Sequence, residues 1–373
     1  MDRRLYHLDF LRAFMLFLGV FYRSAHADAG AGDYDFVRDA SGAFRMACFF
    51  IISGYFSVSL LERKGSFSFL KSRTIMLLTP ALFCIAFLVP ITNDWMLAYY
   101  ANEGAESKFE VFWQQHAWFL IVLLMFTLPL AFVVRCVRNS VHWLSRYMSL
   151  TIARITLFSA VVLGCILFKK FVVSGFVWSI PYSHLYGYSI WSASTYFPYF
   201  ILGVFMYLWR DVYVRFNTGY PMWGVIALAI VFGLIYLESV GLSLDVISKE
   251  SHVQHGILLF YKYAVAIAIS LFLFSVSARF LDKDFWIVRI MAQSAYTVYI
   301  VHFTLVAWFL LMLQEAGMSM NARMMLSALA TCVVGVLFHY LVVKKVNMAS
   351  LLFNGKLKVT GRAGEPEATI SAS

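Results

Sequence analysis

A chain of 373 residues that is 61% hydrophobic and 13% charged has too little polar surface to enclose a soluble globule, which excludes water-soluble enzymes. The formal net charge is +10, yet the basic residues gather in short clusters at the ends of apolar runs. That is the topology charge of a membrane protein and not a nucleic-acid surface.

Taken in order, the sequence predicts an all-α, polytopic membrane helix bundle of about ten transmembrane helices. The spans lie near 9–27, 43–61, 75–97, 115–135, 150–173, 190–209, 221–241, 258–277, 288–312 and 324–345. The ends and even connections hold nineteen Lys and Arg and the odd connections seven, which places both termini in the cytoplasm. An aromatic content of 18% suits ring-rich belts at the two interfaces. Residues 1–346 read as one transmembrane domain and 347–373 as a disordered cytoplasmic tail. The longest connections, at about 98–114, 174–189 and 242–257, all fall on the outer side. The middle one is dense in Trp, Tyr, Ser and His, which suits either a sugar or a membrane interface. The five cysteines show no paired spacing, and no two of the nine histidines combine with carboxylates at metal-ligand spacing, so neither a metal nor a resident cofactor is expected. Arg3 and Arg4 ahead of an apolar run, with Ala25-His26-Ala27 after it, leave a cleaved leader open for the first span.

The charges inside the spans carry the functional reading, because intramembrane charge is functional by default. In the first span, position 23 lies about 20° around the helix from Arg12 and position 26 about 40° the other way, so Arg12, Arg23 and His26 share one face. Arg12 and Arg23 are about 16 Å apart along the axis. In the second span Arg45 either snorkels to the headgroups or enters a pocket, and Ser53 with Gly54 allows close helix contact. Arg73 opens the third span as a phosphate ligand or a topology anchor. His116 and Trp118 begin the fourth, and His302 lies midway along the ninth. Each of these histidines reads as a structural hydrogen-bond partner or a substrate ligand.

Five segments in order, Asp9-Phe10-Leu11-Arg12-Ala13, Phe44 to Ser57, His116-Ala117-Trp118-Phe119-Leu120, Tyr196 to Gly203 and Tyr299-Ile300-Val301-His302, together resemble the multi-pass acyltransferase-3 family. The resemblance runs from Leu8 to about Lys356 and makes the first span part of the mature protein. It implies a multi-pass O-acyltransferase of the bacterial inner membrane. In the subgroup it most resembles, the donor is cytoplasmic acyl-CoA, specifically succinyl-CoA, and the acceptors are hydroxyls of osmoregulated periplasmic glucan. The family pattern is an arginine, ten residues and a histidine. Arg12 matches the arginine, but Arg23 stands at the position of the histidine. A guanidinium holds its proton at physiological pH and cannot take one from a sugar hydroxyl. Three readings stay open: the base has moved to His26, Arg23 has disabled the site, or the protein binds without catalysing. Arg12, Arg23 and His26 are thus the catalytic candidates, and Arg45, Ser53, Arg73, His116, Trp118 and His302 the substrate-binding ones. Arg12 and Arg45 are expected to hold pyrophosphate or the succinyl carboxylate. The rival class is a transporter or channel for an anionic solute, which the scarcity of acids in the spans disfavours for ion-coupled transport.

Overall fold

Long apolar runs satisfy their backbone groups internally by coiling into helices, and no strand occurs among the described residues of the computed structural model. Those residues are 6–26, 35–104, 112–173, 177–179, 182–210, 224 and 252–356. In chain order the helices are α1 Tyr6–His26, α2 Asp35–Lys64, α3 Ser66–Phe83, α4 Val89–Asn102, α5 Trp118–Thr127 and α6 Leu130–Leu144. After these come α7 Leu150–Phe168, α8 Ser183–Leu208, α9 His252–Phe280, α10 Trp286–Glu315, α11 Met320–Phe338 and α12 Asn347–Asn354. Single wide turns continue α3 into α4 (Cys84–Leu88), extend α7 (Lys169–Val173) and extend α11 (His339–Val343).

By length and composition, 5 stretches of the described residues can cross a membrane: Phe44–Lys64, Ser66–Asn102, Leu150–Val173, Trp286–Glu315 and Met320–Val343. A bent pair, Gln115–Thr127 with Leu130–Leu144, raises this to 6. The sequence-based count was ten. Helices α1, α8 and α9 do occupy the expected spans near 9–27, 190–209 and 258–277, but only Val265–Phe280 of α9 forms a shorter apolar helix. The expected span at 221–241 lies outside the described residues apart from Gly224.

Three boundaries differ from the sequence reading. The span expected at 115–135 is broken between α5 and α6, with a bend of 51°, where Pro129 ends one helix and its carbonyl starts the next. The connections expected from 98 and up to 189 are shortened, because α4 runs to Asn102 and α8 starts at Ser183. Residues 347–354, expected as tail, form a helix because Phe353 finds ring partners in Phe83 and Phe338, at 5.1 and 5.0 Å between centroids. Gly355, at φ 61°, caps that helix by donating to the Leu351 carbonyl at 2.8 Å. Residues 357–373 lie outside the described ones.

α2 and α8 form the closest helix crossing, and two glycines make it. A Cβ on Gly54 would run into the Phe200 carbonyl, and one on Gly203 into the Ile51 carbonyl, so the two backbones touch through reciprocal notches. Gly54→Leu or Gly203→Leu must push the helices apart. Each is expected to lower stability by at least the ~1–3 kcal/mol typical of overpacking, read as a fall in thermal unfolding temperature in detergent. An unchanged transition in both variants would mean that the contact does not hold the bundle.

α1 threads between α2, α10 and α11. Ser24 fixes it to α11 by donating to the Met324 carbonyl at 2.7 Å, with the Ser327 hydroxyl at 2.6 Å. α3 tolerates Pro80 because the carbonyl left without its helical donor, that of Met76, accepts from the Tyr296 hydroxyl of α10 at 2.8 Å. The wide turn at Cys84–Leu88 precedes Pro90, and Thr92 closes it by donating to the Leu88 carbonyl at 2.7 Å. Thr92 also meets Thr304 of α10 at 2.7 Å. At the end of α4, donors from Arg323 and then Gln314 hold the Glu103 carboxyl below the usual carboxylate range.

Candidate functional site

Two cationic clusters sit on α1, one at each end. At its N-terminal end, the Arg12 guanidinium lies 5.7 Å from the centre of the Phe56 ring of α2 and 3.6 Å from Asp9, one turn back. Arg73 of α3 is close enough to act electrostatically on Arg12. Its Nε is buried without a hydrogen-bond partner, and its only hydrogen bond among the described residues is a long one to the Met76 sulfur, at 3.9 Å. Lys356 joins this cluster because Gly355 is pressed against the Met76 backbone, leaving no room for a Cβ. Burial, followed by repulsion from Arg12, Arg73 and Lys64, holds the Lys356 ammonium below the ordinary lysine range. Arg12, Arg73, Lys64 and Lys356 thus lie within electrostatic range of one another, with Asp9 paired to Arg12. The imbalance fits a polyanion.

At the C-terminal end of α1, Arg23 and Arg45 come together. The Arg23 guanidinium stacks 4.1 Å over the Phe303 ring of α10, and Arg45 reaches from α2 to stack 4.1 Å over Tyr22. Gly19 makes space for Arg45: a Cβ there would stand 3.0 Å from its guanidinium nitrogen. Arg45 is thus turned onto α1 and does not snorkel along the lipid face. Its Nε is buried without a hydrogen-bond partner among the described residues. Among the described residues, neither Arg23 nor Arg45 has a carboxylate within ion-pair distance.

Beside these cations lie two imidazoles. The rings of His116 and His302 are 5.2 Å apart and edge-on, and both histidines are buried. His116 Nε2 is 2.9 Å from the Ile300 carbonyl and 3.2 Å from the Cys84 sulfur. His302 Nδ1 is 2.5 Å from the Tyr299 carbonyl, and the Tyr299 hydroxyl donates to the His116 carbonyl. The backbone that presents His116 is held in an unusual shape, with Gln115 at φ 35°. Gln115 donates to Asn93 at 2.8 Å, while Gln114 donates to the Leu185 carbonyl at 3.1 Å and accepts from Ser189 at 2.7 Å. A strained residue pinned on both sides marks a segment whose position matters. Trp118 stacks on Tyr196 at 5.6 Å and Tyr196 on Phe50 at 5.0 Å, so rings from α2, α5 and α8 wall this end.

The candidate residues therefore divide. Arg23, Arg45, His116, Trp118 and His302 gather at one end, and Arg12 and Arg73 at the other. Arg45 does not share a ligand with Arg12, since Phe56, which Arg12 faces, lies 11 residues and about 16 Å further along α2. Ser53 is partly buried beside the Gly54 notch. The side chains of His26, Trp178 and His184 lie outside the described residues. Sequence reasoning missed Gln114, Gln115, Cys84, Phe303 and Lys356. Two adjacent glutamines at the mouth of an apolar run were the available signal for the first pair.

The acyltransferase domain model of known proteins matches residues 5–343, nearly the whole chain. Among curated proteins, the glucans biosynthesis protein C of Salmonella typhi and that of Salmonella typhimurium are each 26% identical over 244 residues. These matches cover 58% of this chain and 61% of each relative, so the likeness spans about three fifths of their length. No solved structure matches the chain significantly.

Proposed function

The chain belongs to the acyltransferase family defined by that domain, and on this premise we propose that it is a bacterial inner-membrane O-acyltransferase transferring succinyl groups from cytoplasmic succinyl-CoA to hydroxyls of periplasmic glucan. The observation that carries the proposal is the pair of cationic clusters gathered at the two ends of one helix, α1. Arg12, Arg73 and Lys356 suit the phosphates of coenzyme A. Arg45 and Arg23, which meet about 16 Å further along α1, suit the succinyl carboxylate and the thioester oxygen respectively. An extended pantetheine arm spans that separation, so the nucleotide stays on the cytoplasmic side while the thioester reaches the outer one. Charge in the connections orients α1 with Arg12 inside. The acceptor class rests on the name shared by the relatives and on the Trp118–Tyr196 wall, whose rings can stack on a sugar face.

The test is reconstitution into vesicles with succinyl-CoA on the side of Arg12 and glucan on the other. Succinylated glucan and free coenzyme A are expected in equal amounts. Passage of an unmodified anion with no acyl product would favour the transporter reading.

A further inference from the structure

We propose that His116, through Nδ1, is the general base that takes the proton of the acceptor hydroxyl. The inference rests on the acyl-transfer reading above and adds to it the group that performs the proton transfer. A carbonyl oxygen only accepts hydrogen bonds, so the 2.9 Å contact between His116 Nε2 and the Ile300 carbonyl requires the proton on Nε2. In the neutral ring the lone pair is then on Nδ1. That nitrogen is buried and has no hydrogen-bond partner among the described residues, in a residue only 3% exposed. A buried acceptor left unpaired is costly, and a substrate hydroxyl donating to it removes the cost.

The surroundings equip the ring for the step. Tyr299 holds the His116 carbonyl, and the Gln115–Asn93 hydrogen bond fixes the strained backbone just before it, so the imidazole is presented in one orientation. The groups facing the ring are His302 and Tyr299 of α10, at 5.2 and 6.0 Å between ring centres, Cys84 of the wide turn, and Arg23 of α1 within electrostatic range. As the hydroxyl oxygen bonds to the acyl carbon, its proton passes to Nδ1 and Nε2–H stays on the Ile300 carbonyl, steadying the imidazolium. Arg23 faces the negative charge that develops on the thioester oxygen. The carbon–sulfur bond then breaks, and the departing thiolate of coenzyme A takes the proton back from the ring. Ester and thiol are the products, and no other reactant is needed.

His116→Gln is the discriminating variant, because its amide nitrogen can still donate to the Ile300 carbonyl while the basic lone pair is removed. Succinyl transfer to glucan should fall about 10²–10⁴-fold, with succinyl-CoA binding, read by calorimetry, within a few-fold of the parent. A second variant, His116→Asn, places an amide near the position of Nδ1 and should be equally slow while unfolding at a similar temperature. Transfer within three-fold of the parent in either folded variant would overturn the proposal while leaving the acyltransferase reading intact. So would a parent chain that binds succinyl-CoA and transfers nothing until Arg23→His is introduced. A parent that neither binds succinyl-CoA nor transfers overturns the acyltransferase reading itself.

Discussion

Replacing Arg12 and Arg73 together by glutamine is expected to weaken succinyl-CoA binding about 10²–10⁴-fold, since each charge-assisted hydrogen bond to phosphate is worth ~1.5–3 kcal/mol. Arg73 contributes the most legible half of that loss. Among the described residues its Nε is buried and unpartnered, and its one hydrogen bond is to a weak sulfur acceptor. Arg12 already shares Asp9, so Arg12→Gln alone should cost less than Arg73→Gln alone. Both effects should shrink as salt rises, because the mouth of the cluster is open to screening. Calorimetric titration in detergent reads each constant, with desphospho- and full-length coenzyme A separating phosphate from pantetheine contacts. Equal affinity in the parent and the double variant would remove this cluster from donor binding and leave Arg12 and Arg73 as topology anchors.

Much of this site could be read from the chain because charge in an apolar run is conspicuous. Arg12, Arg23, Arg45 and Arg73 stand out by composition alone, and helical periodicity places Arg12 and Arg23 on one face. Periodicity within one helix says nothing about its neighbours, however. That Arg45 belongs with Arg23 and not with Arg12 follows from the antiparallel packing of α2 on α1, and the Gly19 gap that admits Arg45 is an ordinary glycine until the two helices are docked. The meeting of His116 with His302 joins residues 186 positions apart through a bulged turn and a strained glutamine, neither of which has a periodic signature. The reading of 115–135 carried no bend because hydropathy is blind to the break at Pro129, and the helix at 347–354 was missed because its five apolar residues, Met348, Ala349, Leu351, Leu352 and Phe353, are too few to register against a polar tail.

Arg23→Gln is expected to lower kcat for succinyl transfer about 10²–10³-fold while KM for succinyl-CoA changes only a few-fold, because removing one donor to a developing oxyanion typically costs that much. The split follows from when the charge appears. The thioester oxygen is neutral in the bound donor and becomes negative only as the hydroxyl attacks, so a guanidinium beside it acts on the transition state and not on binding. The 4.1 Å stack on Phe303 holds the guanidinium in place with no carboxylate among the described residues to neutralise it, which leaves its charge available. Arg23→His should be slow as well, since a shorter and largely neutral ring restores neither the charge nor the reach. Steady-state kinetics on reconstituted protein decide among the three readings that the sequence left open at this position. A gain of activity in Arg23→His would put the base at position 23 and show the parent site to be disabled. A loss in His26→Ala with none in His116→Gln would move the base to the last turn of α1. Loss in both Arg23→Gln and His116→Gln, with donor binding kept in each, is the result the geometry of α1, α5 and α10 leads us to expect.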